Sequence, residues 1–304
     1  MKNSFSDANP FTKLIFSLFI ILVSFLLIFI LGFIIAIPIF HISLSELSTI
    51  LSDYNNPNNI RFLKYLQTIQ AIGLFILPAF IIAYLFNSKP FNYLGFKKIA
   101  SSNIIILTIS IFLVSIPIIS YLGLLNSNMQ LPECLSGLES WMKEKEESAK
   151  LITFAFLKMD HFSVLLFNLF MIGILPAIGE ELIFRGVFQK IFAEWTKNIH
   201  VGILLAAFLF SAMHFQFYGF LPRFMLGILL GYLFYWSGSI WIPILGHFVN
   251  NSVAVIAFYF YEEKALESAE NFGPEAIPFL GLSIALISIL LVTFYKQKQK
   301  VIKS

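Results

Sequence analysis

Two adjacent carboxylates, Glu180 and Glu181, lie in the apolar run Gly179-Glu180-Glu181-Leu182-Ile183-Phe184-Arg185-Gly186. On a helix Glu181 and Arg185 are i and i+4, so they share a face and can pair. Glu180 lies about 100° around from Glu181 and must find its partner on another element. Two further apolar runs carry histidine: Phe210-Ser211-Ala212-Met213-His214, and His247-Phe248-Val249-Asn250-Asn251, where His247 and Asn251 are again i and i+4. A carboxylate beside two imidazoles and an amide can bind and deprotonate a water, with Glu180 as general base. The amide hydrogens of Asn251 can face a developing oxyanion. Glu180, His214 and His247 are also a donor set for a divalent metal such as zinc, with one position left for the water. Arg185, paired with Glu181, would hold that second carboxylate ionised and fixed. Each residue alone has a purely structural reading: a buried histidine, an ion-paired packing lock, an asparagine gluing helices.

The elements that must position them are apolar helices. Eight hydrophobic runs stand out: Leu14–Phe40, Leu66–Phe86, Ile104–Leu125, Phe162–Phe192, Val201–Phe217, Phe220–Trp236, Ile240–Tyr261 and Ile277–Tyr295. A run of about 20 apolar residues spans a bilayer, so the expected fold is all-α, a polytopic membrane bundle of about eight transmembrane helices in a single domain, 1–304. The motif-bearing core is 162–261. Charged residues are only 12% and mean hydropathy is +0.84, half the charge usual in soluble domains. That balance excludes an ordinary soluble enzyme, a disordered chain and a nucleic-acid binder. The one cysteine, Cys134, excludes an intramolecular disulfide.

Charges cost several kcal/mol at mid-bilayer and mark function there. Counted at about 1.5 Å per residue from the same side, Glu180 lies about 15 Å deep, His214 about 20 Å, His247 about 12 Å and Asn251 about 18 Å. The common depth on three separate runs is the argument for one site. With the N-terminus cytoplasmic, that side carries eleven basic and two acidic residues, and the other side eight basic and thirteen acidic. The positive-inside rule agrees with that side, and an even number of spans then puts both termini in the cytoplasm. Segment Leu138–Leu157 reads as an amphipathic helix on the opposite face. Arg223, near a span start, is expected to snorkel outward. No His-Glu-x-x-His, Gly-x-Ser-x-Gly or Gly-x-Gly-Asp motif is present.

Glu180-Glu181-x-x-x-Arg185, Phe210-x-x-x-His214 and His247-x-x-x-Asn251, in this order on successive runs, resemble the CAAX-prenyl-protease and bacteriocin-processing (CPBP, or Abi) family of intramembrane proteases. The resemblance implies a helical membrane endopeptidase, a hydrolase often called a metalloprotease, typified by removal of the last three residues of a prenylated CAAX protein. It implies that Glu180 activates the water, that Glu181 and Arg185 support it, and that His214, His247 and Asn251 complete the site. The implied partners are a membrane-associated peptide or protein substrate and the lipid bilayer. Richness in Phe, Ile, Lys and Asn matches an AT-rich bacterial genome and so a bacterial cytoplasmic membrane. Two other readings stay open: a proton-coupled transporter, since buried Glu and His also relay protons, and a non-catalytic interaction protein of the bacteriocin-immunity type.

Overall fold

The computed structural model describes residues 4–96, 101–262 and 277–303. Lys97, Lys98 and the acidic stretch beyond Glu262, both used in the topology count, lie outside the described residues. Among the described residues the chain is helical throughout, without strands. We label the principal helices α1 (Pro10–Phe40), α2 (Pro57–Phe86), α3 (Ser102–Ser127), α4 (Ser136–Leu157), α5 (Phe162–Thr196), α6 (Ile199–Ala212), α7 (Phe220–Ser237), α8 (Trp241–Tyr261) and α9 (Ile277–Lys303).

Seven of these are long and apolar enough to cross a membrane: α1, α2, α3, α5, α7 (there with its leading turn), α8 and α9. The expected all-α polytopic bundle is therefore what the chain forms. The fifth run differs. It folds as the 14-residue α6 and stops at Ala212, about 21 Å of helix against a 30 Å hydrocarbon core. Hydropathy extended that run to Phe217 because Met213, Phe215 and Phe217 are apolar, although the backbone has already turned.

The bundle is built inside out, as lipid demands. In α1 the buried residues are Lys13, Ser17, Ser24, Gly32 and Ala36, while Phe19, Leu22, Leu27 and Ile34 face outward. Without a hydrophobic drive between helices, small and polar residues make the contacts. Lys13 closes one end of the bundle by a two-pronged pair to Glu194 of α5, at 2.9 and 3.0 Å. Lys197 in the left-handed region ends α5, and the Asn198 side chain caps α6 by accepting from His200 N–H at 2.9 Å. α5 and α6 thus form a tight hairpin.

Two stretches of α5 and one of α2 widen into π-helix: Leu169–Ile174, Phe184–Phe188 and Ile72–Ile76. The first two flank Glu180 and Glu181. Such bulges occur mostly as single turns at functional sites. The one at Leu169–Ile174 precedes Pro176, which has no N–H to give the carbonyl of Ile172 four residues earlier. The amphipathic segment expected at Leu138–Leu157 is α4. It packs by its apolar end, Ala155, Phe156 and Leu157, and exposes most of its charged length.

Candidate active site

Glu181 is completely buried and is the hinge of the site. Its Oε1 accepts from Arg185 Nη1 at 2.8 Å and from His247 Nδ1 at 2.9 Å. Arg185, 1% exposed, also donates from Nη2 to the carbonyl of Gly227 at 3.1 Å. One turn on, Gln189 Nε2 donates to the carbonyl of Gly231 at 3.3 Å. These two glycines let α7 come close. A Cβ at Gly227 would sit 2.9 Å from that of Ala207, and one at Gly231 2.8 Å from Ile203. The ladder from α5 to α7 thus depends on the i, i+4 repeat of both helices.

The bond to Glu181 decides the chemistry of His247. A carboxylate held ionised by Arg185 only accepts, so His247 Nδ1 carries the hydrogen and Nε2 is left with its lone pair. That Nε2 lies 3.8 Å from Glu180 Oε2. This is too long for a hydrogen bond, and Glu180 Oε2 is a buried oxygen with no hydrogen-bond partner among the described residues. Helical spacing leaves Glu180 in need of a partner on another helix, and the group it faces there is His247 of α8, without a direct hydrogen bond.

His214 does not lie on a helix. Its N–H bonds back to Ser211 O at 3.3 Å, and Phe215 behind it takes φ 52°, a strained choice for a bulky side chain. His214 Nδ1 donates to Phe210 O at 2.8 Å, which again leaves Nε2 free. Phe210 is the part sequence reading left without a role. Its ring lies 5.2 Å from that of His214, 5.8 Å from that of His247 and 4.9 Å under the Arg185 guanidinium. Its ring thus packs against both imidazoles.

Arg223 does not snorkel. It folds back to donate to Gln216 Oε1 at 2.8 Å and to Gln216 O at 2.6 Å, clamping the turn that carries His214. The expectation failed because a backbone carbonyl freed by that turn was a nearer acceptor than the headgroup region. α4 adds a second brace, Glu146 Oε2 accepting from Tyr218 N–H at 3.3 Å.

Asn251 lies on the same helix pair but does not touch the carboxylates. Its Nδ2 donates to Ile172 O at 3.0 Å, the acceptor that Pro176 leaves open. Ile172 is eight residues before Glu180, about 12 Å along α5. Two groups of the expected constellation therefore meet directly (Glu180 and Glu181–Arg185, through His247), His214 joins across Phe210, and Asn251 braces the bulge below.

The proposed ligand set Glu180, His214 and His247 suits zinc in donor type. Each imidazole has its Nδ1 fixed by an oxygen, as ligating histidines do. In spacing it does not: among the described residues no three His, Cys, Asp or Glu side chains gather closely enough to hold a metal ion. The Phe210 ring packs against both imidazoles.

Residues 162–253, which carry Glu180, Glu181, Arg185, His214, His247 and Asn251, match the family model of type II CAAX prenyl endopeptidases, Rce1-like. The chain is also similar to an uncharacterized protein, YpbD, of Bacillus subtilis (strain 168), at 27% identity over 120 residues, 36% of this chain. The match spans 59% of the length of that relative. No solved structure matches the chain. The likeness to type II CAAX prenyl endopeptidases thus covers the segment that builds the site, under a third of the chain.

Proposed function

We propose that the chain is an intramembrane endopeptidase that hydrolyses a peptide bond of a membrane-associated substrate, CAAX-type proteins being the class its family name points to. The observation that carries this is Glu180 Oε2, buried and, among the described residues, without a hydrogen-bond partner, 3.8 Å from Nε2 of His247. In this reading a water bridges the two atoms. Glu180 takes its proton as the oxygen attacks the scissile carbonyl, and later hands that proton to the leaving nitrogen. Glu181 and Arg185 hold His247 in the right tautomer and orientation. When protonated, His247 or His214 presents an Nε2–H to the tetrahedral oxyanion. Asn251 and Pro176 set the shape of α5 below the site. These steps use side chains alone.

The proposed setting is a bacterial cytoplasmic membrane with both termini on the cytoplasmic face, the short α6 and the turn after it making the eighth crossing beside the seven long helices. The experiment is incubation of the purified full chain, in detergent or liposomes, with farnesylated and unmodified peptides of CAAX type and with transmembrane peptides, read by mass spectrometry. Cleavage at one defined bond, with the mass of one added water, supports the reading. Intact peptides throughout, with protein that melts cooperatively, would oppose it and favour an interaction role.

A further inference from the structure

A second polar site lies away from Glu180, at the other end of α5. A cavity of about 660 Å³ opens between the start of α2, the end of α4 and the start of α5. Arg61, Lys64, Lys158, Asp160 and His161 line it, with Val164 and Phe167 as an apolar wall. It stands on the acid-rich end of the bundle, yet its own walls hold three cations and one acid.

Lys64 is the informative residue. It lies seven residues into α2, about 10 Å from that helix's start, and is only 6% exposed. A lysine at this depth normally snorkels to the headgroups. This one turns inward, and its Nζ donates to Asn168 Oδ1 at 2.8 Å. Asn168 is completely buried and is itself fixed, its Nδ2 donating to Phe156 O at 2.8 Å. A neutral amide satisfies one of the three ammonium hydrogens and none of the charge. Among the described residues Lys64 has no carboxylate within ion-pair distance, and the exposed Arg61 and Lys158 side chains make no hydrogen bond or ion pair. A buried charge without a counter-charge is costly. The missing group is an anion.

We propose that this cavity binds a phosphate ester anion, seated against Lys64 between Arg61 and Lys158. A bidentate guanidinium and an ammonium are the donors that suit phosphate oxygens. The position is that of the lipid headgroups, at the boundary of the hydrocarbon core. Val164 and Phe167 offer an apolar path for acyl chains leaving the phosphate, and the volume is in the usual range for small-molecule sites. Basic pockets between helices are known acceptors of anionic headgroups. The same chemistry would also take a soluble phosphate, and the test separates the two sources. The site stands independently of the proteolytic reading.

The test uses the full chain in nanodiscs of phosphatidylcholine doped with phosphatidylglycerol, with native mass spectrometry counting retained lipid. Wild type should prefer phosphatidylglycerol over phosphatidylcholine by about tenfold or more, an electrostatic preference of the kind several basic residues confer. Arg61→Gln with Lys158→Gln, both on exposed side chains, should remove most of that preference without lowering the melting temperature. Lys64→Gln should do the same. Competition by millimolar inorganic phosphate would assign a soluble anion, and retention against it a lipid; both keep the phosphate site. Equal retention of the two lipids by wild type and both variants, with no effect of inorganic phosphate, overturns the proposal.

Discussion

At the scale of single residues the two glutamates part company, although they are neighbours in sequence. Glu181 Oε1 serves Arg185 and His247 together, so Glu181→Gln leaves a guanidinium buried without its counter-charge. The expected loss is about 3–5 kcal/mol of stability, read as a lowered melting point in micelles. An unchanged melting point would mean that Glu181 is not the anchor. The metal question also belongs here. Phe210 packs against both imidazoles, and no three ligating side chains gather closely enough for a metal ion among the described residues. Turnover is thus expected to stay within about twofold after exhaustive chelation, a change of only a few tenths of a kcal/mol in barrier. Loss of activity restored by zinc would show instead that Glu180, His214 and His247 draw together around an ion. The sequence made the i, i+4 pair Glu181–Arg185 legible, because helical spacing is local. It did not reveal Phe210 as the ring packed against both imidazoles or Gln216 as the acceptor for Arg223, because those contacts depend on where α6 stops.

At the scale of elements the decisive feature is the widened turn of α5 before the glutamates. Pro176 withholds an N–H from Ile172, and Asn251 of α8 supplies one at 3.0 Å. Asn251→Ala should therefore cost about 1–3 kcal/mol, the penalty for an orphaned buried carbonyl. In a Pro176→Ala background the restored N–H can take over that carbonyl, and the same substitution should cost less than about 1 kcal/mol. A double-mutant cycle by thermal melting measures this coupling. Equal costs in both backgrounds would detach Asn251 from the bulge. The proline was visible in the sequence, but its partner, 75 positions later, was not. Helix lengths show the same divide. Composition located the apolar runs, whereas the end of α6 at Ala212 is set by backbone bonds around Met213 and Phe215 that hydropathy does not register.

At the scale of the whole molecule the account has a direction. Lys13 and Glu194 tie the start of α1 to the end of α5, which places one end of the bundle with the N-terminus. α1, α2 and α3 cross in turn, so Cys134, exposed before α4, belongs to the opposite end. With the N-terminus cytoplasmic, a membrane-impermeant maleimide should label Cys134 in intact right-side-out vesicles and fail to do so in inverted ones. The opposite pattern would invert the topology while leaving the helix bundle unchanged. The inside-out distribution of α1, with Lys13, Ser17 and Ser24 inward and its aliphatic residues outward, was legible only as an apolar run. Its facing depends on which neighbours accept those small polar residues.

The central claim is that Glu180 activates the attacking water, and one comparison reaches it directly: the single-turnover cleavage rate of Glu180→Gln against wild type, on one peptide, in samples with matching melting curves. Among the described residues Glu180 Oε2 makes no hydrogen bond that an amide would break, so the variant should fold as wild type does. The account predicts a rate lower by about 10²–10⁴-fold at an unchanged melting temperature. Cleavage of the same bond at close to the wild-type rate by folded Glu180→Gln protein would contradict it.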